Sequence, residues 1–127
     1  MNRVMLDASA LLAYLLGEPG AEKVPAVQGE AAISAVNLAE AVSVLILRGV
    51  PAEIIRKQLS RTAINVVEFD AGSAEAVGLL VQKTRRCGLS LGDRACLVAA
   101  SRAGIPALTA DRGWKGVDVG IPIQFIR

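Results

Sequence analysis

Apolar residues along this chain follow two different rhythms. Short unbroken runs such as Val4-Met5-Leu6, Ala31-Ala32-Ile33 and Ala107-Leu108 alternate with longer stretches in which apolar positions recur at helical spacing. The first rhythm marks strands buried on both faces, and the second marks helices that cover them. Arg3 to Leu6 predicts the first strand, and Ser9 caps a helix running to about Leu16, where Gly17-Glu18-Pro19-Gly20 breaks it. Ala31 to Ser34 predicts a second strand, and a helix opening near Ser34 passes through Asn37, Glu40, Val44 and Leu47 before stopping at Arg48-Gly49. Pro51 starts an amphipathic helix with Ile54, Ile55 and Leu59 on one face. Ile64 to Phe69 is a β-branched strand, and Asp70 caps a helix predicted to reach Arg86. Ser90 to Ala103 predicts a further helix, with Leu91, Ala95, Leu97 and Val98 pointing inward and Gly104-Ile105-Pro106 ending it. Ala107 to Thr109 then forms a strand, and Pro122 to Ile126 a final edge strand.

Strands alternating with helices predict an α/β fold, a three-layer α/β/α sandwich around a mostly parallel central sheet. A length of 127 residues fits a single domain over residues 1–127, with no repeat, linker or low-complexity tract. Hydrophobic residues make up 53% of the chain and aromatic residues only 3%, so Ala, Val, Leu and Ile carry the core. A mean hydropathy of +0.46 is more than one small core needs, and it predicts a partner interface: a homodimer, a bound peptide or both. The net charge of +2 is too small to argue for nucleic acid by itself, and Arg85, Arg86, Arg94, Arg112 and Lys115 read equally well as solvated helix ends. Cys87 and Cys96 suit a reduced compartment. Asp7 interrupts the apolar N-terminal run, no cleavage site follows it cleanly, and no stretch is long enough to span a bilayer. The expected location is the cytoplasm.

Candidate chemistry rests on four carboxylates, Asp7, Glu40, Asp93 and Asp111, in a chain without histidine. In open α/β sheets ligands bind beyond the carboxyl ends of the strands. Asp7 and Asp111 follow two predicted strands, and Asp93 and Glu40 lie in the early turns of helices that can face the same edge. Each has a purely structural alternative. Asp7 can be an N-cap, Asp93 can complete a capping box with Ser90, and Asp111 can shape the turn into Arg112-Gly113. Glu40 lies among Leu38, Ala39, Ala41, Val42 and Val44, where a buried glutamate needs a partner. Two carboxylates about 5 Å apart repel by roughly 3 kcal/mol at an effective dielectric near 20, so four that meet need protons or a cation. Oxygen ligands alone favour Mg²⁺ or Mn²⁺ over zinc. A hard divalent ion lowers the pKa of a bound water and screens a phosphate, which suits phosphodiester hydrolysis. Histidine-based acid–base chemistry is excluded.

The segments Leu6-Asp7-Ala8-Ser9-Ala10, Asn37-Leu38-Ala39-Glu40, Leu91-Gly92-Asp93-Arg94-Ala95 and Leu108-Thr109-Ala110-Asp111-Arg112-Gly113-Trp114, in that order, closely resemble a PIN domain. In size the chain is similar to the VapC-type toxin ribonucleases of bacterial toxin–antitoxin pairs. The resemblance implies a metal-dependent endoribonuclease in which Asp7, Glu40 and Asp93 hold the principal ion, while Asp111 binds a second ion or tunes the first through water. It further implies that Ser9 and Thr109 orient a ligand or a water. Arg94 and Arg112 would contact flanking phosphates of the RNA substrate, and Trp114 would stack on a base, with core packing as its alternative. Asp118 is a candidate extra ligand, with a plain loop position as its favoured alternative. A cognate antitoxin is implied too, its tail lying in a groove walled by helices at Ala10 to Leu16 and Pro51 to Leu59 and sending a basic side chain toward the acids. Homodimerisation is also implied. A haloacid dehalogenase-type phosphotransferase would need a second acid where Ser9 stands, and a receiver module would need a mid-chain phosphoacceptor aspartate and a late lysine. Two alternatives stay open: a PIN-fold nuclease of RNA maturation outside any toxin system, and a catalytically silent module that binds RNA or a protein.

Overall fold

The structure is a computed structural model that describes residues 2–25 and 29–127. Its strands are β1 (Val4–Leu6), β2 (Ala31–Ser34), β3 (Asn65–Val67), β4 (Ala107–Thr109) and β5 (Ile123–Phe125). They form one sheet in the order β3-β2-β1-β4-β5, with every neighbouring pair parallel. The connecting helices are α1 (Ala8–Leu16), α2 (Ala35–Leu47), α3 (Ala52–Arg61), α4 (Ala71–Leu79), α5 (Val81–Thr84) and α6 (Leu91–Ala103). The predicted α/β sandwich is therefore the observed architecture, and its sheet is parallel throughout.

The strand pleat sorts the core into two layers, because successive side chains point to opposite faces. Leu6 and Ile33 turn to one face, where they pack with Leu11 of α1, Leu45 of α2 and Ile55 of α3. Met5, Ala32 and Ala107 turn to the other, against Cys96, Leu97 and Ala100 of α6. Burying each of the larger of these side chains stabilises the fold by about 1.5–3 kcal/mol. The three central strands β1, β2 and β4 are buried along their whole length, as their apolar runs require, whereas the edge strands β3 and β5 are partly exposed. Helix α4 packs on α6, and α2 also reaches α6.

Several boundaries differ from expectation for local reasons. Asp7, not Ser9, caps α1: its carboxylate accepts from the Ala10 N–H, and Ser9 lies inside the first turn. The segment after Asp70 is not one helix to Arg86 but α4, α5 and a 3₁₀ turn at Arg85–Cys87. Gly78 is a poor helix former near the break, and the Thr84 hydroxyl donates to the Leu80 carbonyl. Leu91, expected inward, is exposed because it opens α6, whose buried face is carried by Gly92, Ala95, Cys96, Leu97, Val98 and Ala100. Strands β3 and β5 are shorter than predicted, since an edge strand is held from one side only. Gly104 ends α6 in the left-handed conformation at φ 68°, its N–H closing on Ala100 and Ser101. Among the described residues, no helix is long and apolar enough to cross a membrane.

Candidate functional site at the carboxyl edge of the sheet

Strands β1 and β4 are neighbours at the centre of the sheet, so the residues that leave their carboxyl ends meet. Asp7, directly after β1, is only 5% exposed. Its Oδ1 accepts from the Ala10 N–H at 2.9 Å and the Ser9 hydroxyl at 2.7 Å, and its Oδ2 accepts from the Thr109 hydroxyl at 2.6 Å. Each hydroxyl has one proton to give and two lone pairs. Both protons go to Asp7, and the oxygens accept in turn from the backbone: Ser9 from the Ala110 N–H and Thr109 from the Asp111 N–H, each at 2.9 Å. Ser9 and Thr109 thus tie the Asp7 carboxylate to the chain leaving β4. Burial pushes the Asp7 carboxyl up to about 6, against the pull of the Thr109, Ser9 and Ala10 hydrogen bonds and with a further rise from the charge of Asp93.

Asp93 lies in the first turn of α6 and completes a capping box. It accepts from the Ser90 N–H at 2.9 Å, while the Ser90 hydroxyl accepts from the Asp93 N–H at 3.1 Å. Glu40 projects from α2 toward the same turn. Glu40 is exposed rather than buried, and its partner is Asn37, whose amide donates to Oε1 at 3.0 Å and to the Gly92 carbonyl at 2.9 Å. Desolvation raises the Glu40 carboxyl, the Asn37 bond lowers it, and the charge of Asp93 raises it again. Buried Cys96, one turn beyond Asp93, has its thiol pushed well above the ordinary value by burial and then by the charges of Asp7, Asp93 and Glu40. Asp7, Glu40 and Asp93 therefore share one electrostatic neighbourhood.

Asp111 stands apart from that trio. It is exposed, caps the 3₁₀ turn Arg112–Trp114, and accepts from the Gly113 N–H at 2.8 Å. Among the described residues, no three acids converge closely enough to form a ready-made cation cage. Local donors explain this: Ser90 holds Asp93, Gly113 holds Asp111, and like charges gain nothing by closing up. The donor set still fits a hard divalent ion. It is all oxygen, its central carboxylate is buried, and among the described residues the ion pairs (Arg3–Glu30, Arg48–Glu18, Arg102–Asp70 and Arg127–Glu18) include none of the four acids.

A family model for the PIN domain matches residues 4–120. The chain belongs to the PIN-domain family. No curated protein matches it by sequence. Among solved structures, it is similar to a DNA-bound VapBC of Salmonella typhimurium at 18% identity, with 100% of each chain covered and a TM-score of 0.78. It also resembles a toxin–antitoxin complex from Klebsiella pneumoniae at 21% identity, covering 90% of this chain and 92% of that one, with a TM-score of 0.71. A third neighbour is a Sarcin-Ricin loop cleaving VapC toxin of Mycobacterium tuberculosis, at 19% identity, with 94% and 99% covered and a TM-score of 0.68.

Beyond the acids, this PIN domain departs from expectation at two of the residues proposed to contact RNA. The Arg94 guanidinium turns away to α4, where Nη1 donates to the Val77 carbonyl at 2.7 Å. Trp114 is 1% exposed, and as the largest buried ring it fills the second core layer, so in this structure it packs and presents no face to a base. Arg112 is exposed, stacked 5.4 Å above the Phe125 ring, and donates to the Arg127 carbonyl. Asp118 sits in its loop, accepting from the Gly120 N–H. Sequence reasoning passed over Asn37 and Gly92, although the three-residue spacing from Asn37 to Glu40 puts both on one helical face.

Proposed function

We propose that this chain is a metal-dependent endoribonuclease, the toxin component of a cytoplasmic toxin–antitoxin pair, and that residues 1–127 form one nuclease domain. The observation that carries the reading is Asp7, a carboxylate buried at the carboxyl edge of a parallel sheet with the charges of Asp93 and Glu40 nearby and, among the described residues, no cationic side chain paired to it. Membership of the PIN-domain family supports it. Asp7, Glu40 and Asp93 would hold Mg²⁺ or Mn²⁺. Such an ion, bound there, would acidify a water and offset charge on a phosphodiester oxygen.

The chain's own residues supply the positioning. Ser9 and Thr109 fix both oxygens of Asp7, Ser90 fixes Asp93, and Asn37 fixes Glu40. With a folded pKa of about 6, Asp7 is mostly ionised at neutral pH. Asp111 commits Oδ1 to its own turn and keeps its other oxygen for a water or a second ion. Exposed Arg112 would receive a flanking phosphate. Hydrolysis would leave a 5′ phosphate and a 3′ hydroxyl without using the 2′ hydroxyl as nucleophile.

A cleft of about 310 Å³ between α1 and α3, lined by Tyr14, Leu15, Gln58, Arg61 and Thr62, supports the expected antitoxin groove. Ile46 and Leu47, adjacent and exposed at the carboxyl end of α2, support an apolar contact with a second copy or a partner. The local commitments of Asp93 and Asp111 favour a second reading, a PIN fold that binds RNA or protein without cutting. Induced expression in a bacterial host separates the readings. The proposal expects growth arrest, relieved by Asp93→Asn and by the product of the neighbouring gene. Arrest that survives Asp93→Asn points to binding alone, and normal growth with RNA cleaved in vitro points to a maturation nuclease.

A further inference from the structure

Glu40 is an exposed acid on a flexible side chain, yet a metal ligand must stand in one place. Two residues outside the acidic set constrain it. Asn37 is 1% exposed, and its amide forks across two elements, giving one hydrogen to Glu40 Oε1 and the other to the carbonyl of Gly92, 55 positions away. Its Oδ1 finds no partner among the described residues, a cost that an apolar side chain at this buried position would avoid. Stability alone therefore does not account for an asparagine here, whereas its two donors do. Gly92 supplies the opposing wall. A methyl group added at Gly92 would collide with the Glu40 carboxylate, which lies against the first turn of α6 beside Asp93. That turn carries the positive end of the helix dipole, so the carboxylate is attracted to it once the side chain at position 92 is absent.

We infer that Asn37 and Gly92 form a latch between α2 and α6 that sets where the Glu40 carboxylate stands relative to Asp93, and that both are positioning residues for cation binding. The inference rests on the reading of Asp7, Glu40 and Asp93 as cation ligands. Gly92→Ala separates positioning from folding. The displaced group is the free end of the Glu40 side chain, which can swing aside, and alanine is the better helix former, so the metal-free fold should be no less stable.

The test is Mn²⁺ binding to the full chain, followed by electron paramagnetic resonance at pH 7, beside melting temperatures in EDTA. The variants are Gly92→Ala, Asn37→Ala, Glu40→Ala, Gly92→Ala with Glu40→Ala, and Gly78→Ala as a control whose added methyl meets open space. We expect Gly92→Ala to melt at or above the wild type and to bind Mn²⁺ about tenfold more weakly or worse, Asn37→Ala to lose as much affinity, and Gly78→Ala to bind normally. Adding Gly92→Ala to Glu40→Ala should cost nothing more, because the latch acts through Glu40. A purely structural role would lower the melting temperature and leave affinity unchanged. If Asn37→Ala does not fold, Gly92→Ala still decides. Wild-type affinity in Gly92→Ala overturns the latch while leaving the cation site standing. A wild-type protein that binds no Mn²⁺ at millimolar concentration overturns the cation reading, and the latch with it.

Discussion

Asp7 concentrates the conflict between stability and chemistry in one side chain. A carboxyl whose folded value is about 6 instead of the ordinary 3.8 binds its proton more tightly in the folded protein. The stabilisation from that proton is fully present below about pH 4 and is lost as pH rises through 6, so an ionised Asp7 costs the metal-free fold about 3 kcal/mol at pH 7 at most. Asp7→Asn should therefore stabilise the protein in EDTA at pH 7 by about 1–3 kcal/mol in urea denaturation, and the gain should shrink toward zero near pH 4. An unchanged or lower stability at pH 7 would remove the argument that burial strains this acid. Asp7 was legible in the sequence as an acid after a buried strand. Its hydroxyl partners Ser9, in the first turn of α1, and Thr109, at the end of β4, are a hundred positions apart, and only the pairing of β1 with β4 brings them together.

At the scale of elements, burial made some segments legible and pairing made others obscure. The runs at Val4–Leu6, Ala31–Ser34 and Ala107–Thr109 are buried on both faces, so apolar content alone locates them. Strand β3 overran in expectation because Ile64 and Phe69 are as strand-prone as the residues between them, and only β2 decides where pairing stops. Leu91 and Trp114 show the same limit for side chains: periodicity marks a stripe but not which first-turn residue faces in, and a lone tryptophan near acids reads equally as a base platform or as core. Trp114 packs among Met5, Leu97 and Ala107 in the second layer. Trp114→Ala should cost about 3–5 kcal/mol of stability by chemical denaturation, whatever it does to activity. A stability loss below 1 kcal/mol, with weakened RNA binding, would return the ring to the substrate surface.

For the whole molecule, topology brings acids scattered along the chain to one edge of the sheet. The order β3-β2-β1-β4-β5 puts β1 and β4 side by side, and the crossover helices return α2 and α6 to the same edge, so residues from four separate segments share a corner. That Asp7, Glu40 and Asp93 lie in one electrostatic neighbourhood agrees with their places after a strand and near helix starts, and the turn that Asp111 forms with Gly113 is the structural alternative its own sequence offered. The most direct test is incubation of the purified, partner-free protein with total RNA and Mg²⁺ or Mn²⁺, beside Asp7→Asn and an EDTA control, with the new ends sequenced. Discrete metal-dependent products bearing 5′ phosphates, absent from folded Asp7→Asn and from EDTA, are the predicted result. Intact RNA with either metal, or equal cleavage by Asp7→Asn, would contradict it.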